Sequence, residues 1–189
     1  MIMIDHFLLG ALFSLGIVYD SKHPFMHVIS FVSLIYYCLA KFDLKRKEVV
    51  SYLLDIHKVL IIVGIVGLES FLAFYFLPFL RCEMLSRIGG IVMIFGIVFA
   101  IITLYYTHTK EGPVIMTGPY KYMRVPFYFG IILFILGSCL YMGTYCTLIY
   151  FYCHHKKEFM LLNKKEETKI ANEDQRYTKY MSTVNLFGI

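Results

Sequence analysis

The sequence predicts an all-α fold: a polytopic integral membrane bundle of about six transmembrane helices, ending in a helical hairpin and a polar tail. Three observations carry that prediction. The chain is 59% hydrophobic, with a mean hydropathy of +0.67, and only 16% charged, against roughly 25% in soluble domains. Its apolar residues gather into runs close to the roughly 20 residues a helix needs to cross a hydrocarbon core about 30 Å thick. Its Lys and Arg residues fall unevenly between alternate loops. The length, 189 residues, suits one domain.

The first apolar run covers residues 5–19 and starts too near Met1 to follow the basic region of a signal peptide. The second extends from Pro24 to Ala40. The third covers 58–80, ending near Pro78, and the fourth 88–106. The last, 127–153, carries Gly143-Thr144 in its middle and divides into two helices joined by a turn near 142–145. Hydrocarbon offers no partner for open backbone groups, so each span is helical.

Six spans place both termini on one side, together with the loops 41–58 and 107–126 and the tail 153–189. Those segments hold fifteen Lys and Arg, and the opposite loops hold Lys22, Arg81 and Arg87. The bias puts the tail and the 107–126 loop in the cytosol. It also accounts for the net charge of +5 without nucleic acid. The whole chain, 1–189, reads as one membrane domain, with four spans in 1–106 and the chemistry-bearing part in 107–189.

Five cysteines, at 38, 82, 139, 146 and 153, form no CxxC pair, which argues against a disulfide framework and a zinc ribbon. Cys139, Cys146 and Cys153 are spaced by seven and suit a packing stripe on one helix face. No metal site is expected. His154-His155 at a helix end reads as an interfacial cap, and Asp5, His6 and His27 as membrane-edge residues. Glu69 lies inside the third span, as a functional carboxylate or as one hydrogen-bonded within the bundle. In the tail, Tyr177, Tyr180 and Val184 form a helical stripe, expected of an amphipathic helix on the membrane surface.

Two cytosolic segments can carry chemistry. Residues 117–128 read Thr-Gly-Pro-Tyr-Lys-Tyr-Met-Arg-Val-Pro-Phe-Tyr: a Gly-Pro turn, then Pro126 suited to the first position of a helix. An interfacial aromatic belt with an Arg anchor explains the same residues. Lys164-Lys165-Glu166-Glu167 sets adjacent carboxylates beyond a membrane helix, either a cation-binding group or a solvated charge run.

Together the segments resemble the isoprenylcysteine carboxyl methyltransferase family, within a superfamily that includes phospholipid methyltransferases. The resemblance rests on GPYKYMRVPFY, the hairpin 127–153, Glu166-Glu167, Tyr177-Thr178-Lys179-Tyr180, the ending TVNLFGI and, upstream, SYLLDIHKVLIIVGIVGLESFL (51–72), and covers about 51–189. It implies S-adenosylmethionine as cofactor in a cytosolic pocket, held by Val114, Ile115, Tyr120, Pro126, Tyr128 and Glu166. Tyrosine faces also suit a sulfonium cation. The implied reaction is methyl transfer to the C-terminal carboxylate of prenylated cysteine. The implied partners are prenylated CaaX proteins of the small GTPase type and membrane lipid, in the endoplasmic reticulum. That carboxylate is already ionised at neutral pH, so no catalytic base is expected.

Three positions depart from the family pattern. Val125 stands where it has the His of Arg-His-Pro, and Gly112 where it has a His before Val-Ile, with His108 the nearest substitute. Leu162 stands where it has an Arg for the substrate carboxylate, a charge that Lys164, Lys165, His154 or His155 can supply instead. The departures keep two alternatives open: a phospholipid amine methyltransferase, and a catalytically degenerate membrane protein that retains the cofactor fold.

Overall fold

The computed structural model describes residues 24–41, 56–76, 82–109 and 115–186, and among these every regular element is helical. In chain order they are α1 (Pro24–Lys41), α2 (Ile56–Tyr75), α3 (Glu83–Thr109), a 3-10 turn (Gly118–Lys121), α4 (Pro126–Met142), α5 (Tyr145–Glu173) and α6 (Gln175–Thr183). The first predicted run, 5–19, and Pro78 lie outside the described residues, as do Asp5, His6, Gly112, Val114 and the side chains of His154 and His155.

α3 is long and apolar enough to cross a membrane, and α4 is a shorter apolar helix. α3 outruns the predicted 88–106 at both ends. Glu83 and Arg87, one turn apart and paired at 2.6 Å, extend its start, and Thr107–Thr109 extend its finish.

The core lies where α3 and α4 pack antiparallel, with α1 against both. Met93, Ile97, Ala100 and Leu104 of α3 meet Ile131, Phe134 and Met142 of α4, and Val28, Ile35 and Cys38 of α1. Small residues let the two backbones touch. A Cβ on Gly130 would stand 2.8 Å from the Ala100 amide, and one on Gly137 would run into the backbone of Met93. Close approach through small residues is how apolar helices gain dispersion contacts where lipid competes for every apolar surface. The opposite face of α3 is bare: Ile91 is 70% exposed, and Phe95, Val98 and Ile102 are also exposed.

Residues 127–153 divide at the expected turn. Gly143, at φ 76°, closes α4 in the left-handed region, and the Thr144 amide donates to the Cys139 carbonyl at 2.9 Å. The second helix, however, does not end near 153. α5 continues to Glu173, because no Gly or Pro interrupts it and its Leu, Lys and Glu residues are good helix formers. The change at 154 is one of surroundings, not of backbone. The turn also breaks the cysteine stripe: Cys139 is buried on α4, whereas Cys146 and Cys153 are exposed on α5.

The tail departs from expectation too. α6 is the amphipathic helix expected, but its aromatic stripe packs on the protein itself. Tyr177 and Tyr180 are buried against the protein, and Val184 is the C-cap. Burying two tyrosine rings against the bundle removes the apolar face that interfacial binding requires.

Candidate functional site

The C-terminal ends of α3 and α5 and the N-terminal end of α4 meet the 3-10 turn and α6 in one polar cluster. The turn is fixed by its glycine. Gly118 has φ 64° and lies against the ring of Tyr106, where a Cβ would come within 2.5 Å of the ring carbon Cζ. The Tyr106 hydroxyl donates to Thr117 Oγ1 at 2.7 Å.

Tyr120 is buried and held at both ends. Its hydroxyl is 3.1 Å from Thr107 Oγ1. Thr107 already donates its proton to the Thr103 carbonyl at 2.8 Å, so Tyr120 is the donor of that pair. The Tyr120 carbonyl accepts from the Tyr180 hydroxyl at 2.5 Å. The turn is thus tied to α3 on one side and to the tail on the other.

The Lys164–Glu167 run splits by helix geometry. Asn163, Glu166 and Glu167, spaced by three and four, are buried, whereas Lys164 and Lys165 are exposed. Glu167 reaches two elements. Its Oε2 accepts from Arg124 at 3.2 Å, and its Oε1 lies 3.5 Å from the Tyr177 hydroxyl, at the limit of a hydrogen bond. The Arg124 amide donates to the Asn185 carbonyl at 3.3 Å. These carboxylates are therefore not a solvated face, and Arg124 is a bridge to the tail more than an interfacial anchor.

Of the residues expected to hold a cofactor, Tyr120, Pro126, Tyr128 and Glu166 are buried at this end of the bundle. Ile115 is half-buried just before the turn, and Val114 precedes the described stretch. Tyr128 stands in an apolar cluster with Val125, Ile132, Leu162 and Leu186. Two of the three departures, Val125 and Leu162, therefore fall in one cluster. Lys164 and Lys165 face outward, away from the buried side that Glu166 shares with Asn163. His108 is exposed in the last turn of α3.

Sequence reasoning missed Asn163, less than 2% exposed, and the pairing of Arg124 with Glu167. The first had a signal: positions 163, 166, 167 and 170 repeat at helical spacing. The second joins positions 43 residues apart and had none.

Asp174 begins α6. Its carboxylate accepts from the Arg176 amide at 2.9 Å and from the Arg176 guanidinium at 2.8 Å. The Arg176 side chain, and then its amide, hold the Asp174 carboxyl below the ordinary carboxylate range, and the Asp174 carboxylate raises the guanidinium in turn.

Chemically, the arrangement offers buried carboxylate oxygen, tyrosine rings and an adjoining apolar wall. That set suits an organic cation carrying hydroxyl groups. In comparison with known proteins, no family model, curated protein or solved structure matches this chain.

Proposed function

We propose that the protein transfers a methyl group from S-adenosylmethionine to the C-terminal carboxylate of prenylated cysteine, at the cytosolic face of a polytopic membrane bundle. The observation that carries the reading is the burial of Glu166 and Glu167 where α5 and α6 close over the 117–128 turn. A solvated charge run has no reason to turn two adjacent carboxylates inward, since burying them costs desolvation. In this reading Glu166 faces the cationic or hydroxyl groups of the cofactor, and Tyr120, Tyr128 and Pro126 wall its pocket, with Ile115 and Val114 at its edge. The acceptor carboxylate needs no base, so the protein's work is to orient it and to exclude water.

The membrane reading draws on the span-length α3, its bare apolar face and the Lys/Arg bias of the loops. Six spans, cytosolic termini and residence in the endoplasmic reticulum belong to the same proposal, as do prenylated CaaX proteins as partners.

One observation favours a second reading. Val125 and Leu162 belong to a single apolar cluster with Tyr128 and Leu186, where the family resemblance implies His and Arg. An apolar wall there suits a protein that keeps the cofactor fold without methylating a carboxylate.

The test is methyl transfer from labelled S-adenosylmethionine to a farnesylcysteine analogue by the purified protein in lipid. Glu166→Ala and Tyr120→Ala are run alongside, with cofactor affinity measured by calorimetry. Transfer is expected, with Glu166→Ala weakening cofactor binding by about 1.5–3 kcal/mol, the range of a hydrogen bond to a charged group. Cofactor binding without transfer would sink the carboxylate assignment and leave the binding-only reading.

A further inference from the structure

α5 is anchored at both of its ends. Its cytosolic end is fixed by Glu167 to Arg124 and Tyr177, and by Leu162 in the apolar cluster. Its other end is fixed by Glu69 of α2. Glu69 Oε1 accepts from the Cys146 amide at 2.8 Å, and Oε2 accepts from the Thr147 amide at 2.8 Å and the Thr147 hydroxyl at 2.5 Å. Those amides belong to the first turn of α5, where no intrahelical acceptor exists. Thr144, the N-cap, supplies no side-chain cap, so a carboxylate from a different helix does so. A negative group at that end also complements the helix dipole.

Between the clamps α5 is one unbroken helix whose packing on α4 is sparse beside that of α3 on α4. A helix rises about 1.5 Å per residue, so Cys146 and Glu166 are roughly 30 Å apart along the same rod. A hydrogen-bonded rod moves as a unit. Loss of the clamp at one end frees it to slide or turn at the other, and one residue of rotation, about 100°, takes Glu166 and Glu167 off the inward face.

We infer that Glu69 is a positioning residue for the cytosolic site: it sets the register of α5, and through it the placing of Glu166 and Glu167. The consequence for catalysis rests on the methyl-transfer reading. The mechanical claim does not, and its test uses no methyl transfer.

The test takes the purified full chain in detergent. Thermal midpoints are measured for Glu69→Gln, Glu167→Gln and the double variant. Gln cannot accept at both positions, because its amide NH2 would oppose an N–H donor. Residues this far apart ordinarily have additive effects. The expected result is non-additive: the double variant loses no more in Tm than the worse single variant. Amide exchange supplies the local readout. In Glu69→Gln, exchange over 163–180 rises at least tenfold while the α3–α4 interface is unchanged. Additive Tm losses, or faster exchange confined to 145–148, would overturn the inference. Should Glu69→Gln yield no folded protein, Thr147→Val removes only the hydroxyl partner, and its exchange pattern is read by the same two criteria. Absent methyl transfer leaves this result standing, and a purely local effect of Glu69 leaves the methyl-transfer reading standing.

Discussion

Two ion pairs in this chain show why solvent, not distance, decides what a charge contributes. Arg87 and Glu83 approach to 2.6 Å, but both side chains are about four-fifths exposed, at 78% and 81%. Arg124 and Glu167 are farther apart, at 3.2 Å, and are only 18% and 11% exposed. Water screens the first pair and offers the second little alternative. Glu167→Gln leaves Arg124 without its carboxylate in a poorly solvated place, and is expected to cost about 2–3 kcal/mol, just under the range for fully buried pairs. Arg87→Ala is expected to cost less than about 1 kcal/mol. Chemical denaturation of both variants in the same detergent checks the order, and equal losses would remove Arg124–Glu167 from the account of how the tail closes. At this scale the sequence was half legible. Glu166, Tyr120 and Tyr128 stand out as residue types beside the ends of the apolar runs. The direction in which a side chain points does not, and Arg124 serves an anchoring reading equally well until α5 is seen to bring Glu167 to it.

At the scale of elements, one substitution type separates the packed helix pair from its surroundings. Gly137→Ala forces a methyl group into the backbone of Met93, which can yield only if α3 and α4 move apart. Overpacking of this kind costs about 1–3 kcal/mol. Gly64 on α2 has nothing within 4 Å of an added Cβ, so Gly64→Ala is expected to be neutral or to stabilise by up to about 1 kcal/mol. An unchanged or raised thermal midpoint in Gly137→Ala would refute the close-packed interface. The short tail helix α6 is sensitive to acid instead. Its N-cap Asp174 is held below the ordinary carboxylate range by Arg176, so the folded tail binds its proton less readily than the unfolded one. The stabilisation is therefore complete above the ordinary Asp value of about 3.9 and is lost as pH falls below it through the depressed folded value. Exchange at the amides of Arg176 and Tyr177 should be protected at pH 7 and at pH 5, and lose protection below about pH 4. The variant Asp174→Asn, which still caps but does not titrate, should lack that transition. Element boundaries were legible where a glycine or proline marks them, as at Pro126 and Gly143. The boundary expected at 153 was wrong because a change from apolar to polar residues resembles a helix end while leaving the backbone free to continue.

At the scale of the molecule, the helices among the described residues were legible because hydrophobic runs are properties of whole segments and survive errors at single positions. The closing of the tail was not, because Tyr177 and Tyr180 make the same amphipathic stripe whether they face lipid or protein. What remains to be tested is the bilayer itself. Fifteen of the chain's Lys and Arg residues fall on the side assigned to the tail, and α3 leads away from it to Cys82, which is exposed just before Glu83. If α3 crosses, Cys82 and the C-terminus lie on opposite sides. The measurement is labelling by a membrane-impermeant maleimide in sealed microsomes, using a chain with Cys146→Ser, Cys153→Ser and a C-terminal epitope. Cys38 and Cys139 are buried and react slowly. The epitope should be digested by added protease in sealed vesicles, while Cys82 labels only after the vesicles are opened. Labelling of Cys82 in sealed vesicles whose epitope is also digested would put both ends of α3 on the outer face. The bare face of Ile91, Phe95 and Ile102 would then need a protein partner, since an apolar surface of that extent does not stay in water.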